Sequence, residues 1–458
     1  MATIPHFDPK QKKPSMFEAV GRGFVIRFLR SFISTGCLNL LEAGGSTLTF
    51  QGADKKCYLK VDLLICNPQF YWKIMTRADV GIADAYIDGD FIFFDKDEGL
   101  LQFIMLLIAN QHANKSVLNS NKNGSWWTPL FLTAGFATIK MLYQHASRKN
   151  SLTQARRNIS QHYNVSNDFF AMFLGKTMTY STAIFKTEEE DLSTAQMRKI
   201  SVLIEKSRIQ EKHQVLDIGC GWGTFGIEAV KRTGCKYTGI TLSEEQLKFA
   251  ETKVKEAGLQ DLITLKLCDY RQLPESDKFD RIISCEMIEH VGHEYMDEFF
   301  RCCESLLAVN GLLILQFISI PDEKYEECRR NADFMKEYIF PGGCLPSFSR
   351  VISAMNTAST LNVEHVENIG SHYGRTLRFW RQNFLDNQRK ILKMGFDEKF
   401  IRTWEYYFDY CAAGFKTYTL GDYQLLNGDI LKVSIKLNKK INREKYNHSI
   451  AHIMTKNN

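Results

Sequence analysis

The chain predicts an α/β fold, with an open and largely parallel sheet wrapped by helices, preceded by a smaller mixed α/β domain. Three observations predict it. From residue 159 onward, short apolar runs alternate with amphipathic helical segments, the rhythm of a parallel sheet that binds ligands at the carboxyl ends of its strands. One of those runs enters the turn Val215-Leu-Asp-Ile-Gly-Cys-Gly-Trp-Gly223, with glycines at alternate positions. Ahead of it, strand-like runs at 46–50 and 57–64 and a tight Ile87-Asp-Gly89 turn before 91–94 read as a small unit of their own.

Taken in order, 16–33 reads as an amphipathic helix, with Val20, Phe24, Phe28 and Phe32 along one face and Arg22, Arg27 and Arg30 elsewhere. The expected organisation is an N-terminal amphipathic segment (1–30), the small mixed domain (31–110), a basic linker with one helix (111–153), the main domain (154–440) and a tail (441–458). Strands of the main domain are expected at 214–219, 236–241, 263–268, 279–284 and 311–318, with helices such as 244–257 and 295–307 between them. The stretch 321–360 breaks the alternation and suits a substrate-covering insertion. Late strands follow at 362–369 and 430–436, separated by two helices.

Composition narrows the function classes. A chain of 458 residues with a net charge of +6 can bury more than one core. Between residues 101 and 160 there is no acidic residue, while Lys115, Lys122, Lys140, Arg148, Lys149, Arg156 and Arg157 are present, so the segment favours an anionic surface. Phospholipid and nucleic acid both qualify on charge alone, and a solvated basic linker accounts for it nearly as well. The first residues carry no secretory pattern, and the longest apolar run, 100–109, is too short to span a bilayer. Twelve cysteines without a C-x-x-C pair or zinc-ligand spacing point to unpaired thiols in a reducing cytosol and to no metal site.

The glycine turn is a nucleotide-binding device, because alternate glycines let backbone approach a ligand and Asp217 closes the strand. Gly221, Gly223 and Gly226 also match the dinucleotide fingerprint, but the next strand ends in Thr241 rather than an acid. Gln246, one helical turn on, is placed to serve the ribose; Ser243 and Gln246 equally form a capping box. After the third strand, Asp269-Tyr270-Arg271 lies where an adenine would be gripped, though Arg271 also reads as a surface residue. Glu286, Glu289 and His290 form a proton-handling cluster at the end of the fourth strand, and Glu286 is the member most easily explained as a structural ion pair.

Together the runs HYxxSNDFF, MTYS, LDIGCGWG, GITLSxEQ, DYR, EMIEHVG, YIFPGGCLPS and HYGRTLRFW resemble the cyclopropane-fatty-acyl-phospholipid synthase and mycolic acid cyclopropane synthase family over about residues 155–435. The earlier DVGIADAYIDGDF is similar to that family's N-terminal domain, and wording such as LQFISIPDE looks most like its plant-type branch. The resemblance implies a Rossmann-like class I methyltransferase domain that uses S-adenosylmethionine to transfer a methylene to the double bond of an unsaturated phospholipid acyl chain. Its implied partners are that phospholipid and a membrane surface, with no nucleic acid; a homodimer is compatible with it, and the implied location is cytoplasmic and peripheral on membranes.

The cofactor residues carried over are Tyr180, Ser181, Val215, Leu216, Asp217, Ile218, Gly219, Cys220, Gly221, Trp222, Gly223, Thr241, Leu242, Gln246, Tyr270 and Arg271. The resemblance also implies a bound bicarbonate as base, with Glu289 and Tyr373 matching two of its ligands and His290 orienting Glu289 or handling protons. Here the chain departs from the family: Thr182 replaces a cysteine and Gln316 a histidine, although both replacements can still hydrogen-bond an anion. Cys411 matches a cysteine proposed as catalytic in the family, yet a thiol has no evident task in this chemistry and reads better as packing. Three alternatives stay open: an N-methyltransferase of a small amine, a methyl- or methylene-branching fatty acyl methyltransferase, and a lipid-binding protein without catalysis.

Overall fold

The computed structural model describes residues 15–114 and 166–429, apart from positions 43, 55, 56 and 332, together with residue 154. Most of the expected linker and basic segment, the start of HYxxSNDFF, and the expected strand 430–436 lie outside the described residues.

Helix α1 (Met16–Phe32) starts at a capping box in which Ser15 and Glu18 satisfy each other's backbone amides. Its buried face runs through Gly21, Val25, Ile26, Leu29 and Phe32, while Val20 is 55% exposed. The inward stripe is thus turned from the expected Val20–Phe24–Phe28 line; Phe24 and Phe28 pack only at its edge. A four-stranded sheet follows, built from β1 (Cys37–Glu42), β2 (Thr47–Gln51), β3 (Lys60–Ile65) and β4 (Phe91–Phe93) in the order β2-β1-β3-β4. Strand β1 is absent from the sequence expectation because Cys-Leu-Asn-Leu-Leu-Glu carries no β-branched residue. Helices α2 (Gln69–Ile87) and α3 (Gly99–Ala113) complete this unit.

The second unit opens with α4 (Asn167–Leu174) and α5 (Leu192–Ser207). Its strands are β5 (Gln214–Ile218), β6 (Lys236–Thr241), β7 (Ile263–Leu267), β8 (Phe279–Cys285), β9 (Leu307–Ser319), β10 (Leu361–Asn368) and β11 (Gly421–Asp429). They form one seven-stranded sheet, β10-β11-β9-β8-β5-β6-β7. The block β9-β8-β5-β6-β7 is parallel, and β11 pairs antiparallel with both β9 and β10. Helices α6 (Thr224–Thr233), α7 (Glu244–Glu256) and α8 (Met296–Leu306) wrap it, followed by α9 (Asp322–Arg330), α10 (Phe348–Ala358), α11 (Tyr373–Asp386), α12 (Gln388–Lys393) and α13 (Glu398–Lys416). Three helices rather than two therefore separate β10 from the next described strand, and β11 is a strand that the sequence expectation lacks.

The central strands are apolar on both faces, as a covered parallel sheet requires: Val215 and Leu216 are fully buried, and Ile282 and Ile283 nearly so. The chain leaves β5 toward one side of the sheet through β6 and β7, then crosses to β8 on the other. That reversal opens a crevice at the carboxyl ends of β5 and β8. One continuous apolar core joins the two units, running from Leu29, Phe91 and Leu106 to Phe169, Trp380, Trp404 and Phe408.

Candidate active site

A cavity occupies that crevice, and its wall has a glycine-turn end and an acidic end. At the first, Tyr237 on β6 donates its hydroxyl to Asp217 Oδ2 at 2.5 Å, and burial pushes that carboxyl up to about 6. Gly219 and Gly221 hold φ of +89° and +54°, where an L side chain is strained. A Cβ at Gly221 would meet nothing within 4 Å, so backbone there is bare to the cavity. Ile218, Cys220 and Trp222 line the same wall, and Trp222 Nε1 donates to Asn167 Oδ1 at 2.7 Å, tying α4 to the turn.

Three residues of the expected cofactor set do not reach the cavity. Val215 and Leu216 lie further back in β5 and are wholly buried in core, since only the strand's end meets the crevice. Gly223 is the N-cap of α6, and a Cβ there would stand 3.0 Å from that of Ala250, so its role is close packing.

Thr241, Leu242 and Gln246 line the next wall. Ser243 Oγ caps the Gln246 amide at 3.3 Å, but the return half of the capping box is absent: Gln246 Oε1 accepts from Thr241 Oγ1 at 2.8 Å, and Thr241 Oγ1 accepts from the Ser243 amide. The threonine standing where an acid was expected thus fixes the glutamine, whose amide NH2 is left to serve a ribose hydroxyl. Tyr270 and Arg271 close this end. Arg271 is no surface residue: its side chain is 9% exposed, forms a two-pronged pair with Asp269 at 2.9 and 2.8 Å, and lies over the Tyr270 ring. Asp269 is consequently spent on the arginine, and Tyr270 is the flat partner for a base.

Tyr180 and Ser181 lie between the two ends. Tyr180 donates to or accepts from Tyr407 at 3.0 Å and packs among Phe170, Trp380 and Phe340. Ser181 Oγ accepts from Lys199 Nζ at 2.6 Å, a lysine only 3% exposed. Sequence reasoning missed Lys199, which sits on α5 amid ordinary helical periodicity; nothing in that pattern marks it as facing a cavity.

The acidic end is where expectation and structure part most. Glu286, not Glu289, lines the cavity. Its Oε1 accepts from the Thr182 amide at 2.9 Å and from Gln316 Nε2 at 2.7 Å, and its Oε2 accepts from the Tyr373 hydroxyl at 2.5 Å. Thr182 contributes backbone rather than its hydroxyl, which donates to the Ala183 carbonyl. Burial raises the Glu286 carboxyl, while Tyr373, the Thr182 amide, Lys199 and Gln316 pull it back down. The structural ion pair expected for Glu286 is replaced by this set of neutral donors.

Glu289 is buried behind it, with Oε1 accepting from the Ile318 amide at 2.5 Å and Oε2 without a hydrogen-bond partner. Burial and the Glu286 charge push its carboxyl up to about 8. Asp422 on β11, missed from sequence, is wholly buried beside Gln316 Nε2 at 3.2 Å, and burial with the Glu286 and Glu289 charges raises it well above the usual range. Three carboxyls cannot all ionise in one dry cluster. Glu286 holds the donors and so carries the charge; Glu289 and Asp422 hold protons. His290 lines the cavity against Phe340, and burial lowers its imidazole to about 4, leaving it neutral. Cys411 is not on the cavity wall: its Sγ lies 3.8 Å from Met335 Sδ.

The glycine-turn end fits S-adenosylmethionine, because bare backbone at Gly221, the amide of Gln246 and the ring of Tyr270 offer what its polar and flat parts need. The acidic end does not fit bicarbonate. Tyr373, Gln316 and the Thr182 amide are already engaged by Glu286, and a second anion would sit against that carboxylate.

Residues 150–425 match the mycolic acid cyclopropane synthetase family. Tuberculostearic acid methyltransferase UfaA1 of Mycobacterium tuberculosis is 38% identical over 282 residues, 60% of this chain and 65% of that one. The chain thus spans less than two thirds of that relative. Cyclopropane-fatty-acyl-phospholipid synthase of Escherichia coli strain K12 is 30% identical over 356 residues, covering 78% of this chain and 84% of that one. Among solved structures, mycolic acid cyclopropane synthase CmaA1 complexed with SAH and CTAB is 29% identical, with a TM-score of 0.56 over 60% of this chain and 98% of that chain. The chain belongs to the mycolic acid cyclopropane synthetase family of S-adenosylmethionine-dependent enzymes, on a class I methyltransferase fold.

Proposed function

We propose that the protein closes a cyclopropane ring on the double bond of an unsaturated phospholipid acyl chain. The observation that carries this reading is an aromatic and carboxylate wall directly beside the cofactor cradle: Tyr180, Phe340 and Tyr407 adjoin a cavity into which Glu286 opens. Such a wall suits an apolar chain, excludes water and favours positive charge developing on carbon. When bound, S-adenosylmethionine supplies the electrophilic methyl. The residues of the chain orient the alkene against it and dispose of one proton.

The relative named for tuberculostearic acid supports a second reading, in which the same attack ends in a methyl or methylene branch. The departures at Thr182 and Gln316 bear on that choice. We place the substrate at a cytoplasmic membrane surface; exposed Met16, Phe17 and Val20 give α1 an apolar edge for a bilayer.

Purified protein incubated with S-adenosylmethionine and monounsaturated phospholipid vesicles separates these outcomes by mass spectrometry before and after mild hydrogenation. The expected product gains one CH2 and takes up no hydrogen. A product that gains CH2 and takes up hydrogen carries a methyl branch beside an alkene or a methylene branch, and overturns ring closure. No lipid product, with cofactor bound, overturns the lipid reading itself.

A further inference from the structure

Glu286 is held in a way that ordinary packing does not require. It directly follows β8 at φ +51°, a left-handed conformation that costs a non-glycine residue roughly 1–3 kcal/mol and persists where surroundings over-determine it. Its own amide is fixed to the Gln316 carbonyl at 2.7 Å. Its carboxylate oxygens take three donors from three separate segments, around residues 182, 316 and 373, yet the side chain still opens onto the cavity. The other titratable groups nearby are held differently. Glu289 and Asp422 are buried behind it, Lys199 is engaged with Ser181, and His290 stands on the wall against Phe340.

We infer that Glu286 is the catalytic base of this enzyme, a carboxylate built into the chain at the place where an exchangeable anion would otherwise have to bind. The inference rests on the acyl-alkene reading above. The alkene's π pair forms a bond to the sulfonium methyl, and the C–S pair returns to sulfur. Glu286 then takes a proton from the transferred carbon, and the freed C–H pair forms the second ring bond. Glu286 is left as a carboxylic acid and returns its proton to water through the cavity mouth. No oxidant, reductant or added anion is needed.

The test runs the purified enzyme on monounsaturated phospholipid vesicles in decarbonated buffer, with and without added bicarbonate, and follows S-adenosylmethionine binding by calorimetry. Wild-type turnover is expected to be the same in both buffers. Glu286→Gln should bind the cofactor normally and lose about 10²–10⁴-fold in turnover, the range for removing a general base. Glu286→Gly relieves the left-handed strain and empties the space among the three donors. It should be inactive in decarbonated buffer and regain turnover with bicarbonate. Wild-type activity that falls away without bicarbonate, or a Gln variant that keeps most of its turnover, overturns the inference while leaving the lipid reading intact. A wild-type enzyme that binds cofactor and makes no lipid product in either buffer overturns both.

Discussion

The two ends of the cavity are built by opposite means. The glycine-turn end is made from contiguous sequence, where Asp217 to Trp222 supply wall and conformation together. The acidic end is assembled from residues spread over more than two hundred positions: Glu286, Gln316 and Asp422 meet because β8, β9 and β11 lie side by side, while Thr182 comes from the segment before α5 and Tyr373 from the start of α11. The first is a local motif that any chain can carry. The second depends on the sheet being in register.

The sharpest way to separate the two ends is Gly221→Val. A valine must hold φ +54°, costing about 1–2 kcal/mol, and its branches enter the cofactor's space. Affinity for S-adenosylmethionine should fall by at least about a hundredfold, read by calorimetry. Retained affinity would show that the turn is not the cradle.

Tyr373→Phe acts at the other end alone. It removes the donor on Glu286 Oε2, and hydrogen bonds to charged groups are worth about 1.5–3 kcal/mol. Losing a donor to the ionised form raises the carboxyl further, so the acid limb of the pH–rate profile should move up by roughly one to two units while cofactor affinity stays put. The Thr182 amide, Gln316 and Lys199 still favour the charge, and Asp422 and Glu289 oppose it. An unmoved limb would break the link between Tyr373 and the base.

The smallest effect is expected from Glu289→Gln. Glu289 rises from 4.5 to about 8 on folding, so its contribution to stability is complete below about 4.5 and is lost as pH climbs through 8. An amide cannot ionise. The variant's melting temperature relative to wild type should therefore increase between pH 5 and pH 9, with turnover falling far less than in Glu286→Gln. A flat difference across that range would mean that Glu289 is already charged at neutral pH.

The same contrast explains what was legible in the sequence. Strands β5 to β8 announce themselves as apolar runs, and the glycines of the turn carry their chemistry in their spacing. Strand β11 does not, because its buried Leu425 and Leu426 stand among polar residues that are just as buried: Asp422, Gln424 and Asn427 are all nearly sealed from solvent, with Gln424 Nε2 donating to Gln316 Oε1 at 2.9 Å. A reading by hydrophobicity passes over a strand in which so many of the buried positions are polar and hydrogen-bonded. Sequence places Glu286 in a proton-handling cluster but gives the leading part to Glu289, since the three donors that single out Glu286 lie far away in the chain. Pattern reports what one segment buries, not what two segments share.

Helix α13 carries a consequence of another kind. One side of it supports the aromatic core of the second unit, and Tyr86 from the first unit donates its hydroxyl to Glu405 at 3.0 Å, while Arg378 joins Asp409 to Glu98. A solved relative of which 98% is covered by only 60% of this chain shows that the larger unit's fold can exist in a much shorter protein. In this chain, removing the four-stranded sheet and its helices would bare an apolar face of α13 and leave Glu405 and Arg378 without their partners across the seam, so the first unit cannot be cut away without redesigning α13.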